Sequence, residues 1–141
     1  LAVGPGLPQG REVRSDIYLQ DIMATSLALA GIEKPGYVDF NSFFSLATGV
    51  VNESPLTDGV YGAYMDTQRM IRKDGFKLIV YPRNREVLLF DLTADPLEMN
   101  DLSDNPQYAG KVRDLFEGLL RLQAQMEDPL DLSDSFAFLM N

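Results

Sequence analysis

The sequence contains neither cysteine nor histidine, and those two absences remove more chemistry than any motif adds. Without them no Ser-His-Asp triad and no Cys-His pair can be assembled within the chain. Zinc and copper lose their preferred ligands, which leaves oxygen ligands suited to a hard cation. A disulfide framework is excluded, while the redox compartment stays open. Positive charge is also scarce, with 12 Lys and Arg against 21 Asp and Glu and a formal net charge of −9. Nucleic acid and anionic membrane surfaces are therefore disfavoured as partners, since both require clustered cations. No apolar run approaches the ~20 residues of a membrane span. No basic-then-apolar leader is visible, and a start at Leu1 reads as a mature form or a fragment.

What is present supports a folded chain. Hydrophobic residues make up 45% of 141, enough for a core in one domain, or in one domain plus a piece of another. The opening "GPGLPQG" is dense in turn formers. Its Pro5 and Pro8 remove backbone donors and no Gly-Lys-Ser/Thr follows, so it reads as a connecting turn and not a phosphate loop. "DIMATSLALAGIEKP" reads as one helix that starts at Gln20 or Asp21, with apolar surface from Ile22, Leu27, Leu29 and Ala30. Gly31 suits its C-terminal cap, and Pro35 prevents continuation. Residues 36–58 read as loop, with at most a helical turn near Ser42 to Leu46, and hold the boundary between two units.

The texture then changes. "GVYGAYMDTQRMIRKDGFKLIVYPRNREVLLFDL" is rich in β-branched and aromatic residues and predicts strands near 60–65, 68–73, 76–81 and 87–92. Asp74-Gly75 between two such runs is a hairpin signal, so the four strands form an antiparallel meander. Residues 106–127 predict a long amphipathic helix. Val112, Leu115, Phe116, Leu119, Leu122 and Met126 recur on one face, Asn105 stands at the cap and Pro106 at the first helical position. The fold class is α+β, a four-stranded antiparallel sheet packed against a long C-terminal helix. In "FKLIVY" and "VLLF" both sheet faces carry apolar residues, and one helix covers one face. The other is expected to pack on a partner or to drive self-association.

The stretch "LLFDLTADPLEMNDLSDNP" concentrates Asp91, Asp95, Glu98, Asp101 and Asp104. Their steps do not fit a calcium loop, and no Gly lies between them. Turn and cap roles account for them instead: Asp91 ends a strand, Asp95-Pro96 opens a turn, and Asp104 with Asn105 precedes a helix. The same stretch resembles the late segment of type I, formylglycine-dependent sulfatases, where a Leu-Phe-Asp-Leu strand runs into Asp-Pro-x-Glu and Asn-Leu. Upstream, "QRMIRKDGFKLIVY" resembles the family's strand pair, with Lys77, Leu78 and Ile79 in the Lys-Leu-Ile strand. "VGPGLPQGREV", "QDIMATSLALAGIEKP" and "VDFNSFFSLATG" resemble, in order, segments that follow the family's catalytic lysine. "DPLDL" at 128–132 recurs near such chain ends, and Phe40 departs from the Gly usual after the acidic residue.

The resemblance implies an alkaline phosphatase-like superfamily member. Residues 1–54 would be the helical tail end of an α/β catalytic domain and 55–141 a C-terminal α+β subdomain. It also implies hydrolysis of sulfate esters by a calcium-dependent parent enzyme with a formylglycine made from a Cys/Ser-x-Pro-x-Arg motif. No such motif occurs here, and Ser54-Pro55 lacks both the spacing and the Arg. Calcium and formylglycine are thus expected in the missing catalytic part, and this stretch alone is expected to be inactive. The subdomain would lie beside the active-site cleft and sometimes lend residues to the substrate rim. Tyr64, Gln68 and Arg69, on or near strand ends, are the candidates, with Arg as the anion partner; the competing reading makes Arg69 and Arg72 ordinary solvated strand residues. Its partners would be the N-terminal catalytic domain and a sulfated small molecule or sugar, in a periplasmic or extracellular setting. Two other readings stay open: a non-catalytic interaction module, and the C-terminal part of a related phosphodiesterase or phosphatase.

Overall fold

The computed structural model describes residues 3–4, 6–52, 56 and 58–140, which fall into two units, Leu1–Thr57 and Asp58–Asn141. Pro5, the dipeptide Ser54-Pro55 and the expected 54/55 boundary lie outside the described residues.

In the first unit, helix α1 spans Asp21–Leu29. The Asp21 carboxylate accepts from Tyr18 N at 2.9 Å, one turn back, and so fixes the chain's entry. At the far end Gly31 N donates to Ala28 O and Ile32 N to Leu27 O. With Gly31 at φ +67° this is the paired C-terminal closure that glycine permits. The expected apolar face is not what this helix buries. Ile22 and Leu29 are exposed and Leu27 is half-buried, whereas Asp21, Ala24 and Thr25 are buried. The reason is polar. Asn41 N donates to Asp21 Oδ1 at 3.2 Å and Phe43 N to Thr25 Oγ1 at 3.0 Å, so the inner face is held by hydrogen bonds to the 41–43 loop. Phe40 meets Tyr18 edge-on, with ring centroids 5.5 Å apart. Helix α2, Phe44–Thr48, lies two residues later than expected and ends at Gly49.

The second unit holds strands β1 (Val60–Tyr64), β2 (Gln68–Lys73), β3 (Phe76–Tyr81) and β4 (Glu86–Asp91). They form one antiparallel sheet in chain order. Asp74 (φ +52°) and Gly75 (φ +78°) make the two-residue turn that the Asp-Gly pair announces. Ile71, Leu78, Val80 and Leu89 are buried on one face of the sheet. Opposite them lies helix α3, Ala109–Gln125, which contributes Val112, Leu115, Phe116, Leu119 and Leu122. Gly118 lets helix and sheet approach closely, since a Cβ there would stand 3.0 Å from Ile71 Cδ1. The far face is covered in part. Ile79 and Phe90 are buried, and Met70 and Leu88 beside Ile79 in the register are half-buried.

The expected helix over 106–127 divides in two. Asn105 Oδ1 accepts from Gln107 N at 3.1 Å, and Pro106–Tyr108 form a 3₁₀ turn before α3 begins. Tyr108 N bonds Asn105 O three residues back, so the first turn is tight. Replacing Asn105 with Ala is expected to cost about 1 kcal/mol. An unchanged urea midpoint would show that this cap contributes nothing to the helix start.

The chain does not stop at α3. Glu127 adopts φ +52° and reverses the backbone. The tail then sends Leu132 and Phe136 into the core, where the Phe136 ring lies 5.7 Å from that of Phe116.

Candidate functional site

The acidic stretch resolves residue by residue into turns. Asp91 Oδ1 accepts from Thr93 N and Ala94 N, at 3.0 and 3.2 Å. Asp95 Oδ2 accepts from Met99 N and Asn100 N, at 2.7 and 2.8 Å. Asp101 Oδ1 takes Leu89 N and Ser103 N, both at 2.9 Å, and Leu102 N donates to Leu89 O at 2.8 Å. Glu98 pairs with Lys77 at 2.8 Å. Asp91, Asp95, Glu98 and Asp101 thus each serve a different piece of backbone or a lysine, and among the described residues no three acidic side chains converge as a metal site would require. Among the described residues nothing fits the calcium that the resemblance assigns to the catalytic part, and the sequence has no Cys/Ser-x-Pro-x-Arg motif for a formylglycine. Calcium is expected to leave the melting temperature unchanged; a rise that Asp95→Asn abolishes would overturn this assignment.

A different cluster lies at one end of the sheet, where the β1–β2 and β3–β4 turns emerge side by side. Asp66 and Arg83 bridge the two turns at 2.6 Å, in an exposed pair that contributes little energetically. Tyr64 and Gln68 are register partners, so their side chains share one face. Tyr64 is 63% exposed, and Gln68 is half-buried. Arg69, one residue on, points to the opposite face with Ile71 and is buried. The structure therefore brings Tyr64 and Gln68 together and turns Arg69 away from them.

Arg69 has a partner that the sequence did not disclose. Its Nε and Nη2 donate to Asp128 Oδ2 and Oδ1, at 2.5 and 3.0 Å. Its Nη1 donates to the carbonyls of Met65 and Gln68, at 2.6 and 2.8 Å. The Tyr61 hydroxyl donates to Asp128 Oδ2. The Arg69 guanidinium holds the Asp128 carboxyl well below the usual carboxylate range, against the opposing effect of burial and with help from Tyr61. Burial, then the bond to Asp128, pushes the Tyr61 hydroxyl up. The only signal for Asp128 was the "DPLDL" motif, which marks a recurring chain end and names no contact.

Residues 5–125 match the family described as N-sulphoglucosamine sulphohydrolase, C-terminal. The chain belongs to the sulfatases, as a C-terminal region. Arylsulfatase K from Homo sapiens is 30% identical to this sulfatase region over an alignment of 115 residues that covers 73% of the chain and 22% of that protein. The solved structure of BT4656 in complex with its substrate D-glucosamine-2-N,6-O-disulfate matches at 28% identity and a TM-score of 0.68. That match covers 77% of this chain and 24% of that one. Phosphonate monoester hydrolase SpPMH from Silicibacter pomeroyi shares the fold at 20% identity, with a TM-score of 0.73 over 87% and 28% of the two chains. The sulfatase region thus spans about a quarter of the length of these relatives, within the alkaline phosphatase-like superfamily. No helix among its described residues is long and apolar enough to cross a membrane.

Proposed function

We propose that this chain is the C-terminal part of an enzyme that hydrolyses sulfate esters, and that it supplies structural support and a portion of the substrate rim. The family match over 5–125 carries the reading. The nucleophile must come from elsewhere in the enzyme, because sulfate ester cleavage needs an activated nucleophile and an acid for the leaving alcohol, and the chain has no Cys, no His and no Ser-x-Pro-x-Arg. The rim consists of Tyr64 and Gln68, with Arg69 behind them. An exposed phenol beside an amide suits a sugar ring and its hydroxyls. The substrate is a sulfated sugar, the class named for BT4656, and the setting is periplasmic or extracellular. The main partner is the remainder of the same enzyme. Exposed Ile22, Met23 and Leu29 on α1 fit burial against it, and they give the isolated chain a reason to self-associate.

The reading is tested in the upstream reading frame. A Cys/Ser-x-Pro-x-Arg motif there supports it. Thr or an unmodified Ser as nucleophile would move it to phosphoryl chemistry, the alternative favoured by the fold shared with a phosphonate monoester hydrolase. For the rim, Tyr64→Ala or Gln68→Ala in the full-length enzyme is expected to raise KM for a sulfated disaccharide about threefold to tenfold while kcat holds, the pattern of lost uniform binding. An unchanged KM in both variants would remove these residues from the rim.

A further inference from the structure

The buried Arg69–Asp128 pair reaches the turn that Tyr64 and Gln68 flank. The two side chains are 5% and 10% exposed, and 59 residues separate them in sequence. A buried ion pair is weak evidence of stabilisation, because apolar residues of similar volume often serve as well. What an apolar pair cannot do is fix a backbone. The Arg69 fork meets both oxygens of Asp128, and its third nitrogen donates to two carbonyls of the β1–β2 turn, those of Met65 and Gln68. Met65 itself adopts φ +48°, so this turn has an unusual backbone to hold.

Asp128 is fixed in its own right. Its N–H donates to Gln123 O at 3.1 Å, and its Oδ1 accepts from Leu130 N at 3.0 Å. Gln123 Nε2 donates to Leu130 O at 2.5 Å. The acceptor of the clasp is therefore anchored to the C-terminal end of α3, and the turn is anchored to the acceptor.

We propose that Tyr61, Arg69 and Asp128 form a positioning device that sets the β1–β2 turn so that Tyr64 and Gln68 present themselves to the substrate. Arg69 acts as a positioning residue and not as a ligand of the sulfate. The proposal rests on the rim reading for its catalytic consequence, but its mechanical claim concerns the turn alone.

The experiment uses the full-length enzyme with Asp128→Asn, and with Tyr61→Phe as the milder variant that keeps the ion pair. Amide hydrogen exchange over 65–68 is expected to rise in Asp128→Asn and, less, in Tyr61→Phe. KM for a sulfated disaccharide is expected to rise about tenfold in Asp128→Asn, and by more than KM for a small aryl sulfate. Arg69→Lys is expected to behave like Asp128→Asn, since an ammonium cannot make the fork and reach both carbonyls. Unchanged exchange at the turn would overturn the proposal, even where the melting temperature falls. Raised exchange with unchanged KM in these variants, while Tyr64→Ala still raises KM, would also overturn it, because the rim would then work without the clasp. Raised exchange with unchanged KM in the Tyr64 and Gln68 variants too would uphold the clasp and sink the rim reading.

Discussion

Asp128→Ala is expected to lower the unfolding free energy by about 3–5 kcal/mol, the cost of leaving one buried partner of an ion pair uncompensated. Arg69 would keep its two turn carbonyls but lose both bonds to carboxylate oxygen in a site where it is 4% exposed. The wild-type protein should also show the pair's titration. The Asp128 pKa in the folded state lies below its unfolded value of about 3.9. Its stabilisation is therefore complete above about pH 4 and disappears as pH falls through the folded value. Tyr61 gives the opposite arm. Its folded pKa lies above the unfolded value of about 10, so stability declines as pH rises past about 10. Urea denaturation across pH should show both arms, and Asp128→Asn should flatten the acid one. A variant with the wild-type midpoint would show that the pair is energetically silent.

Phe136→Ala is expected to cost about 3–5 kcal/mol through the cavity it leaves. Phe136 is fully buried against Phe116 on α3, and the ring of Phe138 lies 6.0 Å from its own. A tail that merely frayed on the surface would make the substitution almost neutral. Guanidinium melts of the two proteins decide the matter, and a loss below about 1 kcal/mol would mean that the tail contributes little to the core.

These two residues also mark where sequence reading ran out. Within a strand or helix, period and turn chemistry are local, and they located the meander, the Asp74-Gly75 turn and the stripe of α3 to within a residue or two. Asn105 and Asp95 were legible because a cap or turn acceptor acts within a few residues of itself. Asp128 and Phe136 act over long separations through a segment with no regular period, so nothing local announces them. The inner face of α1 was misread for a related reason. Asp21 and Thr25 bond loop amides some 20 residues away, and hydrophobic pattern is blind to such bonds. Tyr64, Gln68 and Arg69 were adjacent on paper, yet the two-residue repeat of a strand puts Arg69 on the other side of the sheet.

Asp101 and Leu102 do something further for the sheet. β4 is an edge strand, and an exposed edge is a template on which another chain can add a strand. By giving Leu89 N an acceptor and Leu89 O a donor, the acidic turn acts as a short counterfeit of a fifth strand at the middle of that edge. Both backbone groups of Leu89 are spent, and a negatively charged side chain stands where an incoming strand would lie. One of the carboxylates that invited a metal-site reading, Asp101, thus blocks the middle of this edge against an added strand.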